Sequence, residues 1–173
     1  MVDMAKIFAV AGLPGSGKTT VAKLIERRGY AYYSLGDVVR MEAQRAATAP
    51  DRAAVVLRIE EGRRAIVRRL VDIMKRGTNA VVDGVRGIEE VEALEEHLGP
   101  VTLIYVVASR ETRFRRLAGR GRSDDPSTYS QFLMRDIREL KFGLADLLAR
   151  ADYILVNEGK DIEALEAEVA RLL

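Results

Sequence analysis

The chain alternates between two hydrophobic periodicities. Short apolar runs at Ile7 to Ala11, Ala31 to Ser34, Ala80 to Asp83, Val101 to Val107 and Tyr153 to Val156 are separated by segments whose apolar residues recur every three or four positions. The runs read as buried strands and the segments between them as helices. Strands interrupted by helices cannot form hairpins with their sequential neighbours. The pattern therefore predicts an α/β fold in three layers, a five-stranded parallel sheet with helices on both faces, in one domain over 1–173. The longest helix is predicted over Ala53 to Lys75, where Val55, Val56, Ile59, Ile66, Val67, Leu70, Ile73 and Met74 form a stripe toward the core. Arg58, Glu60, Arg63, Arg64, Arg68 and Arg69 lie opposite and read mostly as a solvated face. Pro50 and Asp51 mark its start, and Ile162, Leu165, Val169 and Leu172 predict a terminal amphipathic helix.

The junction after the first strand carries chemistry. Gly12-Leu13-Pro14-Gly15-Ser16-Gly17-Lys18-Thr19 fits the phosphate-binding pattern GxxxxGK[ST], with a strand before it and a helix from Thr20 after it. Glycines let the backbone curl so that successive N–H groups face phosphate oxygens, Lys18 reaches the β- and γ-phosphates, and the Thr19 hydroxyl can ligate Mg²⁺. The expected ligands are ATP and Mg²⁺, held by Gly12, Pro14, Gly15, Ser16, Gly17, Lys18, Thr19 and Thr20.

Composition then narrows the classes. With 173 residues and 48% hydrophobic, the chain suits one domain with a proper core. It has no cysteine, which excludes disulfides, a thiol nucleophile and thiolate metal sites. Met1 to Lys6 lacks a basic leader with a long apolar core, and no apolar run approaches membrane-spanning length, so a cytoplasmic location is expected and a membrane role is not. Net charge is only +2, yet six lysines leave 22 arginines among the 28 bases, several of them within Arg110 to Arg122. Locally basic segments in a nearly balanced chain point to phosphate ligands rather than to a nucleic-acid footprint. His97 is the only histidine and reads as a surface helix residue, which removes zinc and histidine-triad chemistry.

In open parallel sheets, ligands gather at the carboxyl ends of the strands. After the second strand come Gly36, Asp37 and Arg40; after the third come Asp83, Gly84 and Arg86. Asp83 ends an apolar run and reads as the holder of a Mg²⁺-bound water, or else as a cap for the helix starting near Ile88. Arg40 and Arg86 read as a clamp for a second anionic substrate, or individually as ion-pair partners. Asp37 is a base if the acceptor is a hydroxyl and a substrate contact if it is a phosphate. Arg116 and Arg120 share one helix face leading into Gly119 to Pro126, an exposed and mobile connection able to act as a short lid over 117–128. Arginines delivered by such a lid would steady a transferring phosphoryl group and exclude water. Arg135 and Arg138 reach inward or pair with Asp136 and Glu139. Among the tyrosines around the second strand, Tyr33 is a further candidate for the acceptor pocket.

Together these segments resemble the nucleoside-monophosphate kinase group, and most closely the archaeal adenylate-kinase-related, dephospho-coenzyme A kinase-like family. The resemblance runs through the phosphate loop, GDVVR, VVDGVR, RLAGRGRSDDP, RDIRELKFG and ADYILVNEG. It implies that Gly36, Asp37, Arg40, Asp83 and Arg86 bind the acceptor, with a helical segment over about 36–76 forming that side of the cleft. It further implies that Arg116 and Arg120 are lid arginines, with Arg120 or Arg122 over the adenine, and that Arg135 is catalytic. Asn157 falls in the turn bordering the donor base. The implied activity is phosphoryl transfer from ATP to a nucleotide-like small-molecule acceptor. A ribose hydroxyl acceptor with Asp37 as base, and a nucleotide-dependent switch, are the competing readings.

Overall fold

The computed structural model describes residues 4–173, so of the stretch Met1 to Lys6, where no secretion leader is expected, Met1 to Asp3 lie outside the described residues. Strands β1 (Ile7–Ala11), β2 (Ala31–Ser34), β3 (Ala80–Asp83), β4 (Val101–Val107) and β5 (Tyr153–Val156) fall where the apolar runs predict them. They pair in the order β2-β3-β1-β4-β5, all parallel. Central β1 and β3 are buried throughout, because each is paired on both edges and covered on both faces; edge strand β5 buries only Leu155.

Alternation along β1 divides the core. Phe8 and Val10 face helices α1 (Lys18–Glu26) and α9 (Ile162–Ala170), packing against Val21, Leu24, Ile25, Leu165 and Val169. Ile7, Ala9 and Ala11 face the opposite layer, built by α2 (Leu35–Arg45), α3 (Pro50–Glu61), α4 (Ala65–Val71) and α5 (Ile88–Leu98). The chain continues through α6 (Arg110–Arg120), α7 (Tyr129–Glu139), a wide π-type turn over Leu140–Leu144 and the short α8 (Leu147–Arg150). From β1 the chain goes to β2 at one edge, and from β3 it crosses β1 to reach β4. The crevice at the carboxyl end of β1 is thus where connections diverge, the position such sheets use for ligands. No helix among the described residues is long and apolar enough to cross a membrane.

Two expectations are corrected. The single helix over Ala53 to Lys75 is two helices, because Gly62 adopts φ 93° and α3 ends there. The break resets the helical phase, leaving Ile59 78% and Ile73 66% exposed while Ile66, Val67 and Leu70 are buried. Arg58, expected on a solvated face, is buried and paired with Glu90. The second correction concerns Gly119 to Pro126. α6 extends through Arg120, and although Gly121 to Ser123 are exposed, Asp124 and Asp125 are half-buried and Pro126 is buried, drawn in by Arg120 and Arg135. This connection is tied down by charge pairs rather than free.

Candidate active site

The phosphate loop begins where β1 ends. Gly17 adopts φ 96° and caps α1 with no side-chain bond, so the first N–H groups of a nine-residue helix open toward the cleft. This is an anion-binding helix terminus. The loop is packed from beneath so closely that its glycines are required. A Cβ on Gly15, which has φ 79°, would lie 2.6 Å from the Arg113 carbonyl oxygen, and one on Gly17 would collide with the Asn157 amide. Asn157 Nδ2 donates to the Ser16 carbonyl at 3.0 Å. Arg116 donates to the carbonyls of Gly15 and Ser16, both at 3.2 Å, and to that of Asn157 at 3.0 Å. Arg113, itself buried, donates to the Pro14 carbonyl at 3.2 Å and to Asp136 at 2.9 Å, with Phe132 beneath its guanidinium. Three side chains from other elements therefore hold the loop's carbonyls, and although the Ser16 N–H donates to the Leu13 carbonyl at 3.1 Å, the other loop N–H groups are left for a ligand.

Gly15, Gly17, Lys18, Thr19, Thr20, Arg116, Leu117, Arg120 and Arg122 surround a cavity of about 330 Å³ beside this loop. Lys18 has no ion-pair partner among the described residues, and burial lowers its ammonium to about 8 although Asp83 works to raise it. A lysine held this way favours a polyanion. Asp83 does not cap α5, whose N-cap is Gly87. Its Oδ2 accepts from Thr19 Oγ1 at 2.7 Å and from the Tyr32 hydroxyl at 3.0 Å, while its Oδ1 is buried with no partner among the described residues. A hydroxyl beside a half-satisfied buried carboxylate is a donor set suited to a hydrated Mg²⁺, so the residues present fit that ion.

Across the cleft, Gly36, Val39, Arg40, Pro50, Asp51, Ala54, Arg86, Asp124, Arg135, Arg138 and Glu139 enclose a smaller cavity of about 40 Å³. Arg40 and Arg86, the two arginines expected to form a clamp, both line this second pocket, together with Arg135 and Arg138. Each arginine has a carboxylate. Arg40 pairs with Asp37 at 2.6 Å, Arg86 Nε with Glu139, and Arg135 with Asp125 at 3.2 Å. Gly84, at φ 92°, lets the backbone turn so that Arg86 Nη1 donates to the Gly84 carbonyl at 2.7 Å. Behind Arg86 lies Glu90, whose Oε1 accepts the Arg86 backbone N–H at 2.8 Å and whose Oε2 is 3.5 Å from Arg58. Burial raises the Glu90 carboxyl above its usual range. Glu139 is held below its usual range: burial opposes this, but Arg86, Lys18 and Arg135 outweigh it.

Of the residues read from sequence, Gly15, Gly17, Lys18, Thr19, Thr20, Arg116, Arg120 and Arg122 line the first cavity and Gly36, Arg40, Arg86 and Arg135 the second, while Gly12, Pro14, Ser16, Asp37, Asp83, Gly84 and Asn157 line neither. Arg120 reaches the donor cavity but is bound to Asp125, and Asp37 lies exposed at the start of α2. Arg135 pairs with Asp124 and Asp125 rather than with Asp136 or Glu139. Tyr33 does not line the acceptor pocket: its hydroxyl accepts the Lys75 N–H at 3.2 Å, and period-two alternation turns its neighbour Tyr32 toward Asp83 instead. His97 sits in the last turn of α5. Not foreseen from the sequence were the contacts of Tyr32, Glu90, Arg58, Glu139 and Glu158, the last accepting from the Ser109 N–H at 2.7 Å and from Thr112. Only Tyr32 carried a usable signal, its shared strand face with Ser34.

Comparison with known proteins agrees with this architecture. A family model described as an AAA domain matches residues 9–137. A UPF0200 protein of Pyrobaculum aerophilum is 65% identical over 170 residues, covering 98% of both chains. Among solved structures, the shikimate kinase from Bacteroides thetaiotaomicron superposes with a TM-score of 0.64 at 18% identity, covering 96% of both chains. A sugar kinase from Janibacter gives 0.65 at 17% identity, covering 96% of this chain and 93% of that one. These two likenesses show a shared P-loop kinase fold.

Proposed function

The chain belongs to the UPF0200 protein family, and from that premise we propose that it is an ATP- and Mg²⁺-dependent phosphotransferase acting on a nucleotide-like small molecule, in the manner of nucleoside-monophosphate kinases. One observation carries the reading: a phosphate loop with open N–H groups adjoins a second pocket lined by four arginines. Nucleotide hydrolysis alone has no use for the second pocket. Lys18 neutralises donor phosphate charge, and its approach to the γ-phosphoryl group pre-orients that group toward the acceptor. Thr19 and Asp83 would hold Mg²⁺, which supplies charge neutralisation across the donor phosphates. Arg120 and Arg116 flank the donor cavity, and Arg135 lines the second pocket and shares Asp125 with Arg120, so that it would steady the charge that spreads during transfer. Arg40 and Arg86 hold the acceptor. The partner we propose is thus the small-molecule acceptor.

A second reading follows from Asp37. Its carboxylate is exposed beside Arg40, where an acceptor hydroxyl can reach it, which suits transfer to a ribose hydroxyl, as on dephospho-coenzyme A. Incubating the protein with ATP and a panel of nucleoside monophosphates and dephospho-coenzyme A, then identifying the phosphorylated product, decides between them. Lys18→Ala is expected to abolish transfer while the melting temperature holds; full transfer by that variant would overturn both readings.

A further inference from the structure

The partners of the acceptor-pocket arginines sort them into two kinds. Arg86 and Glu139 are 15% and 7% exposed, and Arg135 and Asp125 are 14% and 4%. Breaking either pair strands a buried charge, so these arginines are fixtures. Arg40 and Arg138 differ, because their carboxylates, Asp37 and Asp51, are 62% and 52% exposed and can turn to water when another anion arrives. Arg138 is the least committed. Its Nη1 lies 3.5 Å from Asp51, and its Nε is buried with no partner among the described residues.

Arg138 also stands at a border. It lines both the 40 Å³ pocket and an outer chamber of about 440 Å³ whose walls include Pro50, Pro126 and Met134. The inner space exceeds the roughly 15 Å³ that one water needs and is of the size of a single small anionic group; the outer one has room and apolar surface for the rest of a molecule.

We propose that Arg138 is a specificity-determining residue that, with Arg40, grips an anionic group of the acceptor, and that Asp51 is the internal stand-in which this anion displaces. The substrate class is a small molecule bearing a phosphate monoester or a carboxylate, its uncharged body lying in the outer chamber. This rests on the phosphotransferase reading for the identity of the pocket, but not for its chemistry.

The test is titration calorimetry on the full chain with the donor pocket filled by a non-hydrolysable ATP analogue. Probes are AMP, ribose 5-phosphate and shikimate against the uncharged adenosine and ribose. Anionic probes are expected to bind at least about tenfold tighter than neutral ones, and the phosphate and carboxylate arms identify which anion is preferred. Arg138→Gln is expected to weaken the best anionic probe by about tenfold, with Arg138→Lys intermediate, and affinity for the ATP analogue unchanged. Asp51→Asn is expected to tighten the same probe by about two- to fivefold, a gain that a merely structural Arg138–Asp51 pair does not produce. Equal binding of charged and neutral probes, no binding by any probe, an Arg138→Gln effect below about twofold, or weaker binding by Asp51→Asn would overturn the proposal. If Arg138→Gln fails to fold, the Asp51→Asn arm still decides. Anion binding without phosphorylated product would sink the phosphotransferase reading alone.

Discussion

The two halves of the cleft solve the problem of holding an anion differently. On the proposed donor side the groups left open are backbone N–H groups, and side chains stand behind them: Asn157, Arg116 and Arg113 spend their donors on the loop's carbonyls. On the proposed acceptor side the groups that line the pocket are guanidinium groups, and carboxylates stand behind or beside them. Backbone geometry is rigid and local, and requires glycines where the packing is closest. Guanidinium positions depend on which carboxylate each meets, three residues away for Arg40, ten for Arg135 and 53 for Arg86. The donor half is therefore suited to one invariant ligand group, and the acceptor half can be retuned by changing a single carboxylate.

The most damaging way to break this contrast is to strip the donor loop of its support. Arg113 and Asp136 are 6% and 10% exposed, and Arg113 also reaches the Pro14 carbonyl. Asp136→Ala leaves a buried guanidinium without its carboxylate, at an expected cost of about 3–5 kcal/mol. Denaturant unfolding should register that loss, and affinity for ATP should fall with it, since the loop rests on Arg113. Unchanged stability would mean that the loop keeps its shape without this pair.

A second, intermediate effect sharpens the donor side through pH. Burial lowers Lys18 to about 8 in the free protein, and bound phosphates would restore its charge, so binding takes up a proton wherever the free lysine is neutral. Affinity for ATP is then steady well below pH 8 and falls above it, by about fivefold from pH 8 to pH 9. Calorimetry at pH 8.5 in buffers of different ionisation enthalpy should show proton uptake on binding; uptake of none would contradict a lowered Lys18. Stability of the free protein has the companion slope. Its unfolded chain holds the Lys18 proton up to the usual lysine value of 10.5, so stability increases as pH rises from about 8 toward that value.

The same contrast explains what the sequence made legible. All five strands and the phosphate loop depend on neighbours in sequence, and the apolar runs and the GxxxxGK[ST] spacing carry them in full. Gly36, Asp37 and Arg40 were legible for a related reason: the sheet rule places whatever follows a strand at its carboxyl end. What failed to show was pairing at a distance. Nothing at Arg58 announces Glu90 on another helix, and nothing in the run Arg63 to Arg69 separates Arg64, bridged to Glu92 and Glu96, from a solvated arginine. The helix break at Gly62 did have a local signal, a glycine within a helical pattern, which the apolar stripe across it masked. The tied lid had none, because Asp125 is drawn inward by Arg135, ten residues away on α7.

The smallest effect separates the acceptor half from a set of stabilising ion pairs. Asp37 and Arg40 lie only 2.6 Å apart, yet the carboxylate is 62% exposed and the pair sits three residues apart on the first turns of α2. Such a pair contributes about 0–1 kcal/mol, because water screens it and both side chains lose rotamer freedom. Asp37→Asn keeps the backbone N–H bond to Ser34 that starts the helix, so unfolding free energy should move by less than about 0.5 kcal/mol. Its consequence for binding depends on which acceptor the site takes. With an anionic acceptor, removing the carboxylate frees Arg40 and lowers the acceptor KM; with a hydroxyl acceptor, it removes the base and lowers kcat instead. A stability loss of several kcal/mol would show that Asp37 and Arg40 are part of the scaffold. In that case the division between a rigid donor half and a retunable acceptor half would fail at the residue where it is easiest to measure.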